Sequence, residues 1–244
     1  MKVYIHLQQE QPGEKNIRHD RNTRTIMKVL ELFAGSRSFS KVAEQMGMTT
    51  FTTDYKPFDK IDLVIDILDL DNDLLMKKLF EKGIDNINCV WASPPCTYFS
   101  VASIGHHWNK DHTPKTEQAK LGVKIVQKTL DIISFLKPDY FFIENPRGKL
   151  RKLDVIKNIE KTTVCYCKYG EDRMKPTDIW TNNIQSILNP DGWLPREMCF
   201  NGNKNCHHQP APRGSQTGTQ GIKGNYLRSI VPYELCKEIL KSCI

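Results

Sequence analysis

The sequence predicts an α/β protein with a mainly parallel, doubly wound sheet and a small irregular C-terminal subdomain. Three observations carry this. Apolar strand-like runs alternate with helical spacing from Met27 to about Cys167. Three of those runs stop at turn-forming motifs: Phe33-Ala34-Gly35, Ser93-Pro94-Pro95-Cys96 and Glu144-Asn145-Pro146. After Asn182 the chain becomes rich in Gly, Pro, Asn and Gln and poor in apolar runs.

Residues 1–26 are polar, charged and without a clear period, so they read as an N-terminal extension of unknown order, and Met27 offers an alternative start. Val29 to Phe33 is an apolar run that ends at Gly35. Ser38 to Met46 has helical spacing, and Phe51 to Asp54 is a short strand closing on an acid. Leu63 to Ile67 is another apolar run, ending among Asp66 and Asp69. Leu74 to Glu81 reads as a helix with Leu75, Leu79 and Phe80 on one face. Ile87 to Ala92 is a strand, and Ala119 to Leu136 is a long amphipathic helix stopped by Lys137-Pro138. Tyr140 to Ile143 and Val164 to Cys167 are two more strands. Residues 27–182 thus form the expected main domain, 183–226 a small subdomain, and 227–244 a returning segment whose helix buries Leu235, Ile239 and Leu240.

A chain of 244 residues can bury one sizeable core. The formal charge of +7 fits a polyanionic partner without requiring one. No run approaches the length of a membrane span, so no membrane association is expected. Eight cysteines in so long a chain, with no apolar leader, indicate a reduced cytoplasmic protein rather than a disulfide scaffold. Its cysteines are then catalytic, metal-binding or core.

In a doubly wound sheet, ligands sit beyond the carboxyl ends of the strands, where all three motifs lie. Gly35 allows close backbone approach at the opening of a helix. Asp54 is placed to take ribose hydroxyls. Cys96 follows two prolines that stiffen the loop and exclude regular helix, which suits a nucleophile presented at a strand tip. Its rival reading is a buried core cysteine. Nearby positive charge is expected to favour its thiolate. Glu144 ends an apolar strand, where partial burial favours a proton-carrying carboxyl; its rival reading is a helix cap.

In this order the glycine turn, the cysteine loop and the Glu-Asn-Pro motif resemble the DNA cytosine carbon-5 methyltransferases, and most closely their compact phage and prophage members. The resemblance covers most of residues 27–244. It implies a Rossmann-like fold that binds S-adenosylmethionine (AdoMet) and a flipped cytosine in double-stranded DNA, acting as a monomer in a bacterial or phage-infected cytoplasm. It places Phe33, Ala34, Gly35, Asp54, Tyr55, Asp66, Ile67, Pro95, Arg228 and Ser229 around the cofactor. It makes Cys96 and Glu144 catalytic, with Arg173 and Lys175 beside the flipped nucleotide. The chain departs from the family at Ser36-Arg37-Ser38, where more glycine is usual, at Thr177, where an arginine is common, and at Arg228, where an asparagine is usual. A charged Arg228 raises the alternative of a carboxy-modified AdoMet donor, giving 5-carboxymethylcytosine. Further alternatives are an RNA cytosine methyltransferase and an inactive DNA-binding homologue.

The large target-recognition domain common in the family is replaced here by about forty irregular residues. They contain Cys199, Cys206, His207 and His208. Thiolates and imidazole suit zinc, and the expected set is Cys167, Cys199, Cys206 and His207, with Cys165 the rival of Cys167. His106, His107, Trp108 and His112 form an expected loop beside the site, and Lys110, Lys115, Lys120 and Lys124 a basic face.

Overall fold

The short apolar runs become strands because their side chains can be buried on both faces of one sheet. In the computed structural model, which describes residues 26–101, 104–210 and 224–244, seven strands form that sheet. They are β1 (Lys28–Leu32), β2 (Thr49–Asp54), β3 (Leu63–Val64), β4 (Cys89–Ala92), β5 (Tyr140–Pro146), β6 (Lys161–Cys165) and β7 (Pro176–Thr181). Their order is β3-β2-β1-β4-β5-β7-β6. The first five run parallel, and β7 lies antiparallel between β5 and β6. The fold is therefore α/β and Rossmann-like. The expected extension over residues 1–26 lies, apart from Ile26, outside the described residues, as do residues 211–223 of the expected subdomain.

Alternation along each central strand divides the core. Leu30 and Leu32 of β1, Val90 and Ala92 of β4 and Ile143 of β5 face one layer. That layer holds Leu75 and Leu79 of α2 (Asn72–Glu81), and Val126 and Ile133 of α4 (Glu117–Leu136). Val29, Cys89, Trp91 and Phe142 face the other. There they meet Phe39 and Val42 of α1 (Ser38–Gln45), and Leu235 and Ile239 of the C-terminal helix (Tyr233–Lys241). Trp91 stacks on Phe39 with ring centroids 4.5 Å apart, so the sheet's centre is filled by aromatic surface. Among the described residues no helix is long and apolar enough to cross a membrane.

The helix ends follow from local chemistry. Asp71 accepts from Leu74 N at 2.7 Å to start α2, and Thr116 accepts from Ala119 N at 3.2 Å to start α4. Lys137 ends α4 in the left-handed region, before Pro138. At α1 the cap comes from a neighbouring strand. Buried Glu31 accepts from Phe39 N at 3.3 Å and Ser40 N at 2.8 Å. Burial pushes its carboxyl up to about 7 against these bonds.

Several elements differ from the sequence expectation. The third strand ends at Val64 because Asp66 turns the chain, accepting from Leu68 N at 3.0 Å. The expected strand Val164–Cys167 lies earlier, at Lys161–Cys165, and gives way to a 3-10 turn over Tyr166–Tyr169. Strand β7 was not expected at all. It opens with Pro176 and carries polar Thr177 and Asp178, yet both are fully buried between β5 and β6. Beyond it, α5 (Asn225–Ser229) precedes the last helix, α6 (Tyr233–Lys241).

Candidate active site

The parallel register sets the site's floor. Leu32, Ala92 and Ile143 lie side by side on β1, β4 and β5. Phe33, Ser93 and Glu144 therefore leave that ladder at one level. Chain connections run outward to β2 on one side and to β5 on the other, which makes the β1–β4 boundary the switch point where a crevice opens. Strand β5 continues to Pro146 because β7 pairs with it from the other side, Glu144 opposite Ile179. Glu144 therefore stands in a strand and caps no helix.

Cys96 opens a single 3-10 turn, Cys96–Tyr98, directly after Pro95. Neighbours hold this turn from three sides. Asn145 Nδ2 donates to Pro94 O at 2.9 Å, tying the Glu144 strand to the cysteine loop. Lys149 N donates to Phe99 O at 2.7 Å, and Trp108 Nε1 to Tyr98 O at 2.7 Å. Gly148 lets the first of these chains approach: a Cβ there would lie 2.3 Å from Phe99 O. Gly122 of α4 likewise faces Tyr98 Cδ2, which a Cβ would meet at 2.9 Å. The segment expected as a loop beside the site forms a short helix, α3 (Ile104–His107), with His107 Nδ1 2.7 Å from Thr116 Oγ1 and Trp108 buried against Phe99.

Glu144 is buried and accepts a 2.9 Å hydrogen bond from the Tyr166 hydroxyl. Lys175 Nζ stands 4.3 Å above the Tyr166 ring and donates to Arg228 O at 3.0 Å. Lys175 has φ +31°, a conformation that costs a non-glycine residue roughly 1–3 kcal/mol and recurs at functional sites. Burial lowers its ammonium, and the Glu144 charge opposes that shift. Buried Arg173 pairs with Glu171. Of the residues expected around the reaction, the structure thus gathers Cys96, Glu144 and Lys175 by mutual charge, with Arg228 also felt at Cys96. Tyr166 was not singled out in the sequence, and Asn145 was read there only as part of a turn. Their roles depend on contacts 22 and 51 residues away, for which a single chain carries no local signal.

The expectation of an acidified thiol is not met. Burial is the largest influence on Cys96 and the Glu144 carboxylate the next; together they push the thiol up, and Lys175 and Arg228 offset them only in part. In the ligand-free protein, alkylation of Cys96 should therefore climb with pH through and beyond 9.0, the ordinary thiol value. Peptide mass spectrometry after timed iodoacetamide pulses measures this. A plateau reached below that value would show that the cations win.

The residues expected to hold a nucleoside cofactor lie on the β1, β2 and β3 side. Phe33 and Gly35 take φ of +58° and +39°, forming a tight turn. Ala34 N donates to Thr53 O at 2.9 Å and Gly35 N to Asp54 Oδ2 at 3.0 Å. Asp54 is buried and also accepts from Lys56 N at 2.9 Å; burial raises its carboxyl. Each of its oxygens keeps a lone pair that a ribose hydroxyl could use. Asp66 is exposed, Ile67 buried and Tyr55 exposed. Where the glycines are usual, Ser36 Oγ meets Ser38 Oγ at 2.7 Å and Arg37 pairs with Glu44. Ser38 Oγ accepts from Val231 N at 3.1 Å, and Phe58 meets Tyr226 with centroids 5.8 Å apart, so the 226–231 segment closes on the same side. Ser229 Oγ donates to Tyr226 O and Arg228 Nε to Gly224 O.

A second cluster lies behind Tyr166. Cys167, Cys199, Cys206 and His208 bring their ligand atoms within 4.8 Å of one another. The expected histidine is displaced by one position. His207 is exposed and its Nε2 lies 3.0 Å from Glu171 O, while His208 turns inward and is buried. Cys165 stands outside the quartet, its thiol taken by Cys199 N at 3.4 Å and Cys199 O at 3.5 Å.

The family described as C-5 cytosine-specific DNA methylase matches residues 27–163. A protein of Frog virus 3 (isolate Goorha), named "Probable DNA (cytosine-5)-methyltransferase", is 30% identical over 230 residues, which is 89% of this chain and 100% of that one. Solved structures that align with the chain include a candidate DNA modification methyltransferase encoded within a prophage (E. coli), at 14% identity and TM-score 0.49, covering 71% of this chain and 52% of that one. A Spodoptera frugiperda DNMT2 mutant aligns at 20% identity and TM-score 0.38, covering 64% of this chain and 49% of that one. The chain thus spans about half the length of these solved proteins. It belongs to the C-5 cytosine-specific DNA methylase family of methyltransferases.

Proposed function

We propose that this enzyme methylates carbon 5 of cytosine in double-stranded DNA, with AdoMet as donor and Cys96 as a transient covalent nucleophile. The observation that carries this is the joining of the two motifs: Asn145, next to Glu144, holds the Pro94 carbonyl at 2.9 Å, so carboxylate and thiol are set on one rigid frame. The bound donor supplies an electrophilic methyl on a sulfonium. Phe33 to Gly35 and Asp54 would cradle its nucleoside, as the tight turn and the carboxylate's spare lone pairs suit a ribose. Ile67, Pro95 and Ser229 would line the rest of that cavity.

Cys96 Sγ loses its proton to solvent and bonds carbon 6 of a cytosine drawn out of the duplex. The carbon 5–carbon 6 π pair moves to carbon 5, and charge spreads onto ring nitrogen 3. Glu144 delivers a proton to that nitrogen, taking it back when Cys96 leaves, and accepts from the exocyclic amine, which favours cytosine over thymine. Tyr166 and Lys175 hold Glu144 in place. Carbon 5 takes the methyl as its bond to the donor sulfur breaks and a neutral thioether leaves; loss of the carbon 5 proton to solvent then returns an electron pair that expels Cys96. Arg173, Lys175 and Arg228 contribute positive charge beside the nucleotide's phosphates.

Digesting DNA to nucleosides after incubation with the protein and AdoMet, then measuring their masses, tests this. The expected product is 5-methylcytosine. Arms with RNA and with a carboxy-modified donor separate the alternatives. Modification of RNA alone, or 5-carboxymethylcytosine formed in preference when both donors compete, would replace the proposal.

A further inference from the structure

The segment from Leu194 to Pro210 folds with almost no core. Its apolar side chains Leu194, Met198 and Phe200 are 69%, 46% and 65% exposed, while Cys199 and His208 are buried. Those two turn inward to meet Cys167, on the turn that follows β6, and Cys206. Polar groups held so close without water are costly unless each has a partner. His208 is 4% exposed; its Nδ1 lies 3.6 Å from Cys199 Sγ, and its Nε2 has no hydrogen-bond partner among the described residues.

We propose that Cys167, Cys199, Cys206 and His208 bind one structural zinc ion, which anchors this irregular segment to the catalytic domain. Tetrahedral zinc with bonds near 2.3 Å to sulfur sets ligand atoms about 3.8 Å apart. The observed 3.6 Å between thiol and imidazole, and the 4.8 Å limit over all four, need only small adjustments to reach that geometry. Three thiols and one imidazole make a closed set with no open position for chemistry. A disulfide would use two thiols and leave the third, with the imidazole, buried beside it. On binding, each cysteine gives its thiol proton to solvent and the metal is neither oxidised nor reduced.

The anchor bears on the reaction through its place in the chain. Cys167 directly follows Tyr166, whose hydroxyl holds Glu144. The same stretch is bonded to the metal loop by Gln209 N to Asp172 O at 3.1 Å and by His207 to Glu171 O. Zinc would therefore fix the turn that orients the catalytic carboxylate, as well as the segment that stands where the family keeps its recognition domain.

Metal analysis of the full chain, purified under reducing conditions without added zinc, should give about one zinc per chain. Cobalt exchanged into the wild-type protein should show the thiolate charge-transfer and intense d–d bands of a tetrahedral thiolate site. Metal content should fall at least about tenfold in Cys206→Ser and His208→Ala, and persist in Cys165→Ser and His207→Ala. His208→Cys, which keeps a ligand, should retain metal even if His208→Ala fails to fold. A folded wild-type protein without metal, a disulfide within the cluster in the intact mass, or metal lost in His207→Ala but kept in His208→Ala would overturn the site.

Discussion

Cys96→Ala should reduce methyl transfer to the assay background while leaving the protein folded and able to bind AdoMet. The expected loss is complete because no second thiol stands on the Cys96 loop. Cys89, Cys236 and Cys243 are buried in the core on the other face of the sheet, Cys165 ends β6 bonded to the Cys199 backbone, and Cys167, Cys199 and Cys206 gather in the separate cluster after Tyr166. The fold should survive because Cys96 belongs to none of the buried apolar clusters. Its turn is held by Asn145, Lys149 and Trp108 through main-chain carbonyls that an alanine retains. Labelled-methyl transfer to DNA, with AdoMet affinity and thermal unfolding measured on the same preparation, checks both halves. Transfer persisting above background in the folded variant would remove Cys96 from the reaction.

Glu144→Gln should lower turnover by at least about a hundredfold, the scale for losing a positioned acid or base. Glutamine has nearly the same shape, and its amide oxygen can still accept from Tyr166, so the site should stay assembled. What disappears is the negative charge beside Lys175 and Cys96. That leaves a separate signature. Glu144 raises the Cys96 thiol, so in Glu144→Gln the alkylation profile of Cys96 should move to lower pH. Loss of turnover with an unmoved thiol profile would mean that the two groups do not share a site. Near-normal turnover would make Glu144 structural.

The residues proposed to do the chemistry were legible in the sequence, and the residues that place them were not. Cys96 and Glu144 announce themselves locally, one behind two prolines and one at the end of an apolar run. The parallel strands β1, β4 and β5 were legible for the same reason, since burial on both faces writes continuous apolar stretches, whereas β2 showed only Phe51 among threonines before Asp54. Strand β7 was hidden because Thr177 and Asp178 look like loop residues until Arg151 and Thr163 meet Asp178 across the sheet. Tyr166, Asn145 and Gly148 act through contacts that only the folded chain creates. His208 rather than His207 turns inward because an irregular loop has no period that says which of two adjacent residues faces the core. The direction of the Cys96 shift was misread because the sequence shows the cations but not the burial that outweighs them.

The most direct test of a covalent cytosine mechanism is a trapping experiment on the wild-type chain. DNA carrying 5-fluorocytosine accepts the methyl but cannot lose fluorine as it would a proton, so the adduct with the enzyme persists. Incubation with AdoMet should yield a complex that survives denaturation, and peptide mapping should place the modified base on Cys96. A complex mapped to another residue would contradict the mechanism drawn from the Cys96–Glu144 frame. So would the absence of any complex under conditions where ordinary DNA is methylated.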